Sequence, residues 1–251
     1  MYGFAQKKKD YNMKNIFFTP LEETISFYTR NDFAIVNRYL TGNFDALWKD
    51  ALIAYQDNRG ILEEYEKGIR SVDGDYDIKW QNALKKRLIH HLDDEAKAAI
   101  IKNAQNDIAN ILEAVYPSQK DMLLYRTAWI DREGIAENRF PYSREYKALP
   151  LEAGSTFEIK GISSYSLMPY REDEDVGSDF FRYEMRVPCG MPVLELDSFV
   201  THNEKGEVLL PPMVCKVTDI RFSVHPACRG IIGLEYIKAL LPFRIEMSEI
   251  G

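Results

Sequence analysis

Three short segments carry side chains whose types and spacing suit chemistry on a charged substrate. Arg126 closes the apolar stretch Met122-Leu123-Leu124-Tyr125, Ser164 and Ser166 flank Tyr165, and Glu207 opens the apolar run Val208-Leu209-Leu210. A guanidinium is a planar, permanently charged donor that matches phosphate oxygens better than an ammonium does. Serines two apart lie on one face of an extended chain, where one hydroxyl can orient a carboxylate while the other supports the site. A carboxylate at the start of a rigid strand can hold negative charge beside a cation that develops during bond cleavage. Each element alone has a plainer reading. Strands often carry structural arginines satisfied by a carboxylate, and a glycine followed by serines often marks a turn. The order of the three segments and their strand-like contexts give them joint meaning.

The elements that must position these groups fall into two sets. In the first half the periodicity predicts helices over Leu21–Tyr28, Phe33–Tyr39, Phe44–Tyr55, Lys79–Leu92 and Asp93–Val115. The last is the clearest, with Ile100, Ile101, Ala104, Ile108, Ile111 and Leu112 at helical spacing and Asp93, Asp94 and Glu95 at the positive end of the helix dipole. Tyr116-Pro117 ends it, because a residue before proline disfavours helical dihedrals. Ser71 to Asp75 reads as a loop. The second half reads as strands over Met122–Ala128, Ser155–Lys160, Phe181–Val187, Pro192–Leu196, Glu207–Leu210 and Met213–Phe222, broken by proline, glycine and charged turns. Gly233–Phe243 reads as a short amphipathic helix that completes the core or docks on a partner. Segregated helices and strands predict an α+β fold: a helical part, 1–118, packed on a mixed, mainly antiparallel sheet, 119–251, within one unit.

Composition narrows the functional classes. The 251 residues are 45% hydrophobic and 12% aromatic, enough for a core. With 39 acidic against 32 basic residues the net charge is -7, which argues against a surface that tracks nucleic-acid phosphates. No apolar run approaches the ~18 residues of a membrane span. The basic Lys7-Lys8-Lys9 precedes only Ile16-Phe17-Phe18 before Thr19-Pro20, so a cleaved secretory leader is not expected. Cys189, Cys215 and Cys228 are an odd number without metal-ligand spacing and read as buried free thiols. His90, His91, His202 and His225 are scattered, with no cysteine beside them, so no metal site is expected.

Phe157-Glu158-Ile159-Lys160-Gly161-Ile162-Ser163-Ser164-Tyr165-Ser166 resembles the aromatic, Lys-Gly-Phe, Ser-Thr-Ser stretch of the toxin-type mono-ADP-ribosyltransferases. Phe181 to Leu196, with Val187-Pro188-Cys189-Gly190, is similar to the strand, Val-Pro-x-Gly turn and strand that follow in that family. Glu207-Val208-Leu209-Leu210-Pro211 is similar to its catalytic Glu-Val-Leu-Leu-Pro segment. The resemblance covers about residues 120 to 225. It implies an ADP-ribosyltransferase core that uses NAD as co-substrate, needs no metal, and transfers ADP-ribose to a target-cell protein, with room for a delivery or regulatory partner. It further implies a bacterial or phage effector or toxin that leaves its cell without a cleaved signal and works in the cytoplasm of a target cell.

Carried over residue by residue, the resemblance makes Glu207 catalytic, gives Ser164 the role of orienting it, and sets Arg126 on the NAD phosphates. Ser164, Tyr165 and Ser166 would line the nucleotide, with Tyr165 replacing the usual threonine. Phe180, or else Phe181, would supply the aromatic that faces the nicotinamide. Acceptor recognition would fall to Lys205 and Glu204. The family has Glu or Gln two residues before the catalytic glutamate; Lys205 stands there, which speaks against arginine as the acceptor and leaves NAD glycohydrolysis as the rival chemistry. A non-catalytic partner-binding protein of the same fold is the rival from another class.

Overall fold

The computed structural model describes residues 17–29, 33–70, 72, 74–88, 91–129, 152–169, 180–197, 206–221, 223 and 228–240. Among them the helices are α1 (Pro20–Phe27), α2 (Phe33–Leu40), α3 (Phe44–Glu66), α4 (Asp75–Arg87) and α5 (Asp94–Ala114). Local chemistry sets their starts. Thr19 and Glu22 form a reciprocal capping box around Pro20. The Asp93 carboxylate accepts the Ala96 N–H at 2.8 Å. Two helices depart from the pattern expected of them. α3 runs on through the polar stretch Gln56 to Gly60 because Asn58 and Leu62 turn inward and are buried. α4 starts four residues early, after Gly74 at φ 128°, and its acidic first turn and basic last turn complement the dipole.

The strands are β1 (Tyr116–Pro117), β2 (Met122–Trp129), β3 (Thr156–Ile159), β4 (Ser163–Ser166), β5 (Phe180–Val187), β6 (Pro192–Glu195), β7 (Glu207–Leu210), β8 (Met213–Arg221) and β9 (Cys228–Ala239). They form one mixed sheet in the order β1-β6-β7-β4-β2-β5-β9-β8-β3. Only the β5–β9 pair is parallel among the described ladders. The α+β architecture expected from the sequence is therefore observed, with the helices N-terminal.

Two expectations differ from the structure. Of the segment Gly233–Phe243, read as a helix, Gly233 to Ala239 lies within β9, between β5 and β8, and residues 241–243 lie outside the described residues. Ile232, Leu234 and Tyr236 alternate into the core, and a Cβ at Gly233 would collide with the Asp219 carboxylate where β8 bulges. Cys189 is also corrected: it is exposed, whereas Cys215 and Cys228 are buried, and all three are free thiols. Burial pushes the Cys215 thiol well above the ordinary range.

The sheet curls so that one face packs on itself. Tyr165 of β4, Val193 of β6 and Val208 and Leu210 of β7 share a core with Met185 of β5, Val217 of β8 and Leu234 of β9. The Tyr236 hydroxyl on β9 donates to the Pro192 carbonyl of β6 at 3.4 Å, although four strands lie between them in the sheet order. The opposite face of β4, β6 and β7 is covered by helices: Ile25 and Tyr28, Val36, and Ile108 and Ile111 pack on Ile162, Leu194 and Leu209.

A buried polar knot ties these helices together. Arg87 of α4 grips Asp107 of α5 with both terminal nitrogens, at 2.8 and 2.9 Å, and Thr24 of α1 donates to the same carboxylate at 2.7 Å. Asp107 is only 2% exposed, so removing its guanidinium partner strands a charge away from water. Arg87→Ala is expected to cost about 3–5 kcal/mol of unfolding free energy, read from urea denaturation; a loss below about 1 kcal/mol would place the pair among weak surface bridges.

Candidate active site

Because paired residues in an antiparallel ladder point to the same side, the β4–β7 register decides what Glu207 faces. Ser166 pairs with Glu207 and Ser164 with Leu209, so both serines, Glu207 and Leu209 share the face that the helices cover. Tyr165 and Val208 take the opposite face and enter the sheet core. Within this arrangement the Ser164 hydroxyl donates a short hydrogen bond to Glu207 Oε1. The Ser166 hydroxyl accepts the Met168 N–H at 3.0 Å, closing the turn that leaves β4.

Arg126 arrives from the other neighbour of β4. β2 and β4 share a single register pair, Tyr125 with Ser166. The Ser164 carbonyl is turned to Arg126, whose Nη1 donates to it at 2.5 Å. The guanidinium carbon sits 5.9 Å from the centre of the Tyr165 ring, which supports the cation from below. Arg126, Ser164 and Glu207 are thus brought together from β2, β4 and β7, the set the sequence singled out.

Glu207 is held by its backbone as firmly as by its side chain. Its carbonyl accepts the Leu196 N–H at 2.9 Å. The preceding Gly206 adopts φ 82°, a left-handed conformation that costs glycine little. The Gly206 N–H donates to Asp197 Oδ1 at 2.6 Å, and its carbonyl accepts the Leu167 N–H at 2.7 Å. Asp197 and Leu167 were not singled out from sequence as braces, since nothing local marks them. The electrostatics oppose one another. Burial raises the Glu207 pKa, while the Ser164 hydrogen bond and the Arg126 charge lower it, and burial prevails.

The remaining expected site residues are placed as follows. Phe180 opens β5, in register with Trp129 of β2 and Cys228 of β9. Phe181, the alternative, packs against the sheet core. Glu204 and Lys205 fall outside the described residues, as do His90, His202 and His225. Among the described residues no group of three or more His, Cys, Asp or Glu side chains could hold a metal. None of their helices is long and apolar enough to cross a membrane.

Comparison with known proteins bears on the fold. No protein-family model matches the chain, and no curated protein matches it significantly. Among solved structures, the Salmonella SpvB ATR domain aligns with a TM-score of 0.52 at 12% identity, over 88% of this chain and 100% of that one. Plx2a, an ADP-ribosyltransferase toxin from Paenibacillus larvae, aligns at 0.49 with 15% identity over 88% of each chain. The Clostridium limosum C3 exoenzyme aligns at 0.49 with 14% identity, over 88% of this chain and 87% of its own. The fold assignment rests on the SpvB alignment, and it agrees with the fold that the motif resemblance implies.

A pH-dependent stability follows from the Glu207 environment. With its folded pKa raised above the ordinary value of 4.5, the neutral carboxyl is the form the fold favours. Its stabilising contribution is complete below that value and is lost as pH rises through the folded pKa. Glu207→Gln keeps an acceptor for Ser164 and does not titrate. The melting temperature of this variant minus that of the wild type is therefore expected to grow between about pH 4 and about pH 8. A constant or shrinking difference would contradict the burial-dominated environment.

Proposed function

We propose that the chain is a mono-ADP-ribosyltransferase that cleaves NAD at the nicotinamide–ribose bond and transfers ADP-ribose to a side chain of a target protein. The observation that carries this reading is the Ser164 hydroxyl bonded to the half-buried Glu207 carboxylate, with Arg126 anchored on the carbonyl of the same serine. The similarity of fold to the SpvB ATR domain supports it. In this reading the helical part, 1–118, and the β-rich core, 119–251, act as one unit, as a toxin or effector working on a protein of another cell.

The residues present fit the chemistry required. Cleavage of the glycosidic bond sends its electron pair to the nicotinamide nitrogen and leaves positive charge on the ribose. Glu207, ionised, supplies the compensating negative charge and accepts a hydrogen bond from a ribose hydroxyl. Ser164 fixes the carboxylate rotamer, so little reorganisation is left for the moment of cleavage. Arg126 presents a planar, permanently charged guanidinium to the phosphates. Tyr165 serves as the platform beneath Arg126, Ser166 holds the turn that follows β4, and Phe180 is the candidate ring partner for nicotinamide. Lys205 and Glu204 immediately precede Gly206 and Glu207 and are assigned to acceptor recognition. An attacking protein nucleophile takes the ribose carbon and loses its proton; water in its place would make the enzyme a glycohydrolase.

Incubation with labelled NAD and cell lysate tests this. The wild type is expected to label a protein and release nicotinamide, and Glu207→Ala to lower both by on the order of 100-fold or more. NAD should still raise the melting temperature of Glu207→Ala, through ligand linkage, but not that of Arg126→Ala. Nicotinamide release without label selects the glycohydrolase. Activity that survives Glu207→Ala would overturn the assignment of the catalytic carboxylate.

A further inference from the structure

Ile162 lies one residue before the β4–β7 ladder begins at Ser163, so its peptide groups need partners from elsewhere. They find them on a helix. The Asn37 side chain of α2 accepts the Ile162 N–H at 2.8 Å and donates to the Ile162 carbonyl at 3.0 Å, reproducing the donor and acceptor pair of a neighbouring strand. The Tyr28 hydroxyl, at the end of α1, donates to the same carbonyl at 3.0 Å. Asn37 is 4% exposed and Tyr28 3%. An asparagine inside a helix facing an apolar core costs stability unless both ends of its amide are satisfied. Val36 beside it packs in that core, as do Ile25, Ile108 and Ile111. Ile162 itself is 1% exposed, locked by its side chain in the same core and by its backbone to Asn37.

We infer that Asn37 is a positioning residue for the Ser164–Glu207 pair, acting through the Ile162 backbone at the root of the strand that presents Ser164. Ile162 and Ser164 stand two residues apart, so their side chains share a face, and a shift at the first is transmitted to the second along a rigid strand. Both polar ends of the Asn37 amide are engaged by Ile162, which makes it a clamp on the protein's own backbone and not a contact for the nucleotide. The Ser164 hydroxyl is the acceptor-seeking group whose loss most directly alters Glu207, since its hydrogen bond opposes the effect of burial on that carboxylate.

The inference rests on the ADP-ribosyltransferase reading only where activity is measured, so two readouts are paired. The first needs no substrate: carboxyl-carbon NMR titration of Glu207 in the full chain, its signal identified by its loss in Glu207→Gln. Ser164→Ala is expected to raise the Glu207 pKa, Asn37→Ala to raise it in the same direction, and the double variant to add little beyond Ser164→Ala. The second is steady-state NAD cleavage, in which Asn37→Ala should lower kcat by on the order of 100-fold with KM for NAD within about twofold. Ile100→Val, a truncation in the core that α3 and α5 share with Ile35 of α2, should lower the melting temperature and leave both readouts unchanged. Asn37→Asp offers the amide's donor and acceptor pattern only when its carboxyl is protonated, so its activity relative to Asn37→Ala should recover as pH falls. If Asn37→Ala does not fold, Tyr28→Phe removes one donor to the same carbonyl and should shift both readouts in the same directions by less. A raised KM with unchanged kcat and an unmoved Glu207 titration would show that Asn37 contacts the nucleotide, and would overturn the inference. An unmoved titration alone would also overturn it, and this holds even if the wild type proves inactive on NAD.

Discussion

A carboxylate taken partly out of water is the constraint around which the structure is arranged. Glu207 must be buried enough to be held still, yet burial favours its neutral form. The Ser164 hydroxyl and the Arg126 charge answer that cost, and both depend on register. A one-residue slip of β4 against β7 would turn Ser164 into the sheet core and bring Tyr165 to the helix side. Register here is fixed by burial on both faces. Val208 and Leu210 are committed to one core and Leu209 to the other, so the apolar run after Glu207 specifies the pairing that the carboxylate needs.

The helices take part in this arrangement as the second wall of the site. The face of β4 and β7 that carries Ser164 and Glu207 is the one packed by α1, α2 and α5. The placement of α1 against α5 is set in turn by the Arg87–Asp107–Thr24 knot, which also takes in α4, while Val36 packs α2 into the same apolar core. Tyr28, at the end of α1, carries that placement into the backbone at Ile162, where Asn37 of α2 joins it. A chain of contacts therefore runs from a buried ion pair in the helical part to the hydroxyl that orients Glu207, without passing through solvent-exposed segments.

Much of this was legible in the sequence, for physical reasons that differ from element to element. α5 announced itself because five buried apolar residues recur at helical spacing behind an acidic cap. β7 was legible because a short apolar run bounded by glycine and proline reads as a buried strand. Ser164 and Glu207 were legible because each sits at a strand position whose face follows from period-two alternation, whereas alternation sets Arg126 on the opposite face with Leu124 and Tyr165, and only its hydrogen bond to the Ser164 carbonyl ties it to the pair. β9 was not legible. Its Leu-Glu-Tyr-Ile-Lys-Ala stretch suits a helix locally while its glycines weaken the strand signal, and only its place between β5 and β8, where Gly233 must admit the Asp219 carboxylate, makes it a strand. The far half of α3 was hidden likewise, since Asn58 is buried by tertiary packing that local polarity does not reveal.

Asn37 shows why site residues of this kind escape sequence reading. In the stretch Phe33-Ala34-Ile35-Val36-Asn37 it interrupts an apolar run, and a polar residue there reads as a solvent-facing position of the helix. Its partner lies 125 residues away, and the partner group is a peptide unit, which has no residue-type signature at all. The Arg126 to Ser164 contact shares that character: the acceptor is a backbone carbonyl, 38 residues distant. Side-chain chemistry names the catalytic candidates, whereas main-chain acceptors decide where they stand. Two sequences with little identity can therefore keep such a site if their ladders keep register, because the positions that hold the reacting groups in place constrain geometry far more than they constrain residue type.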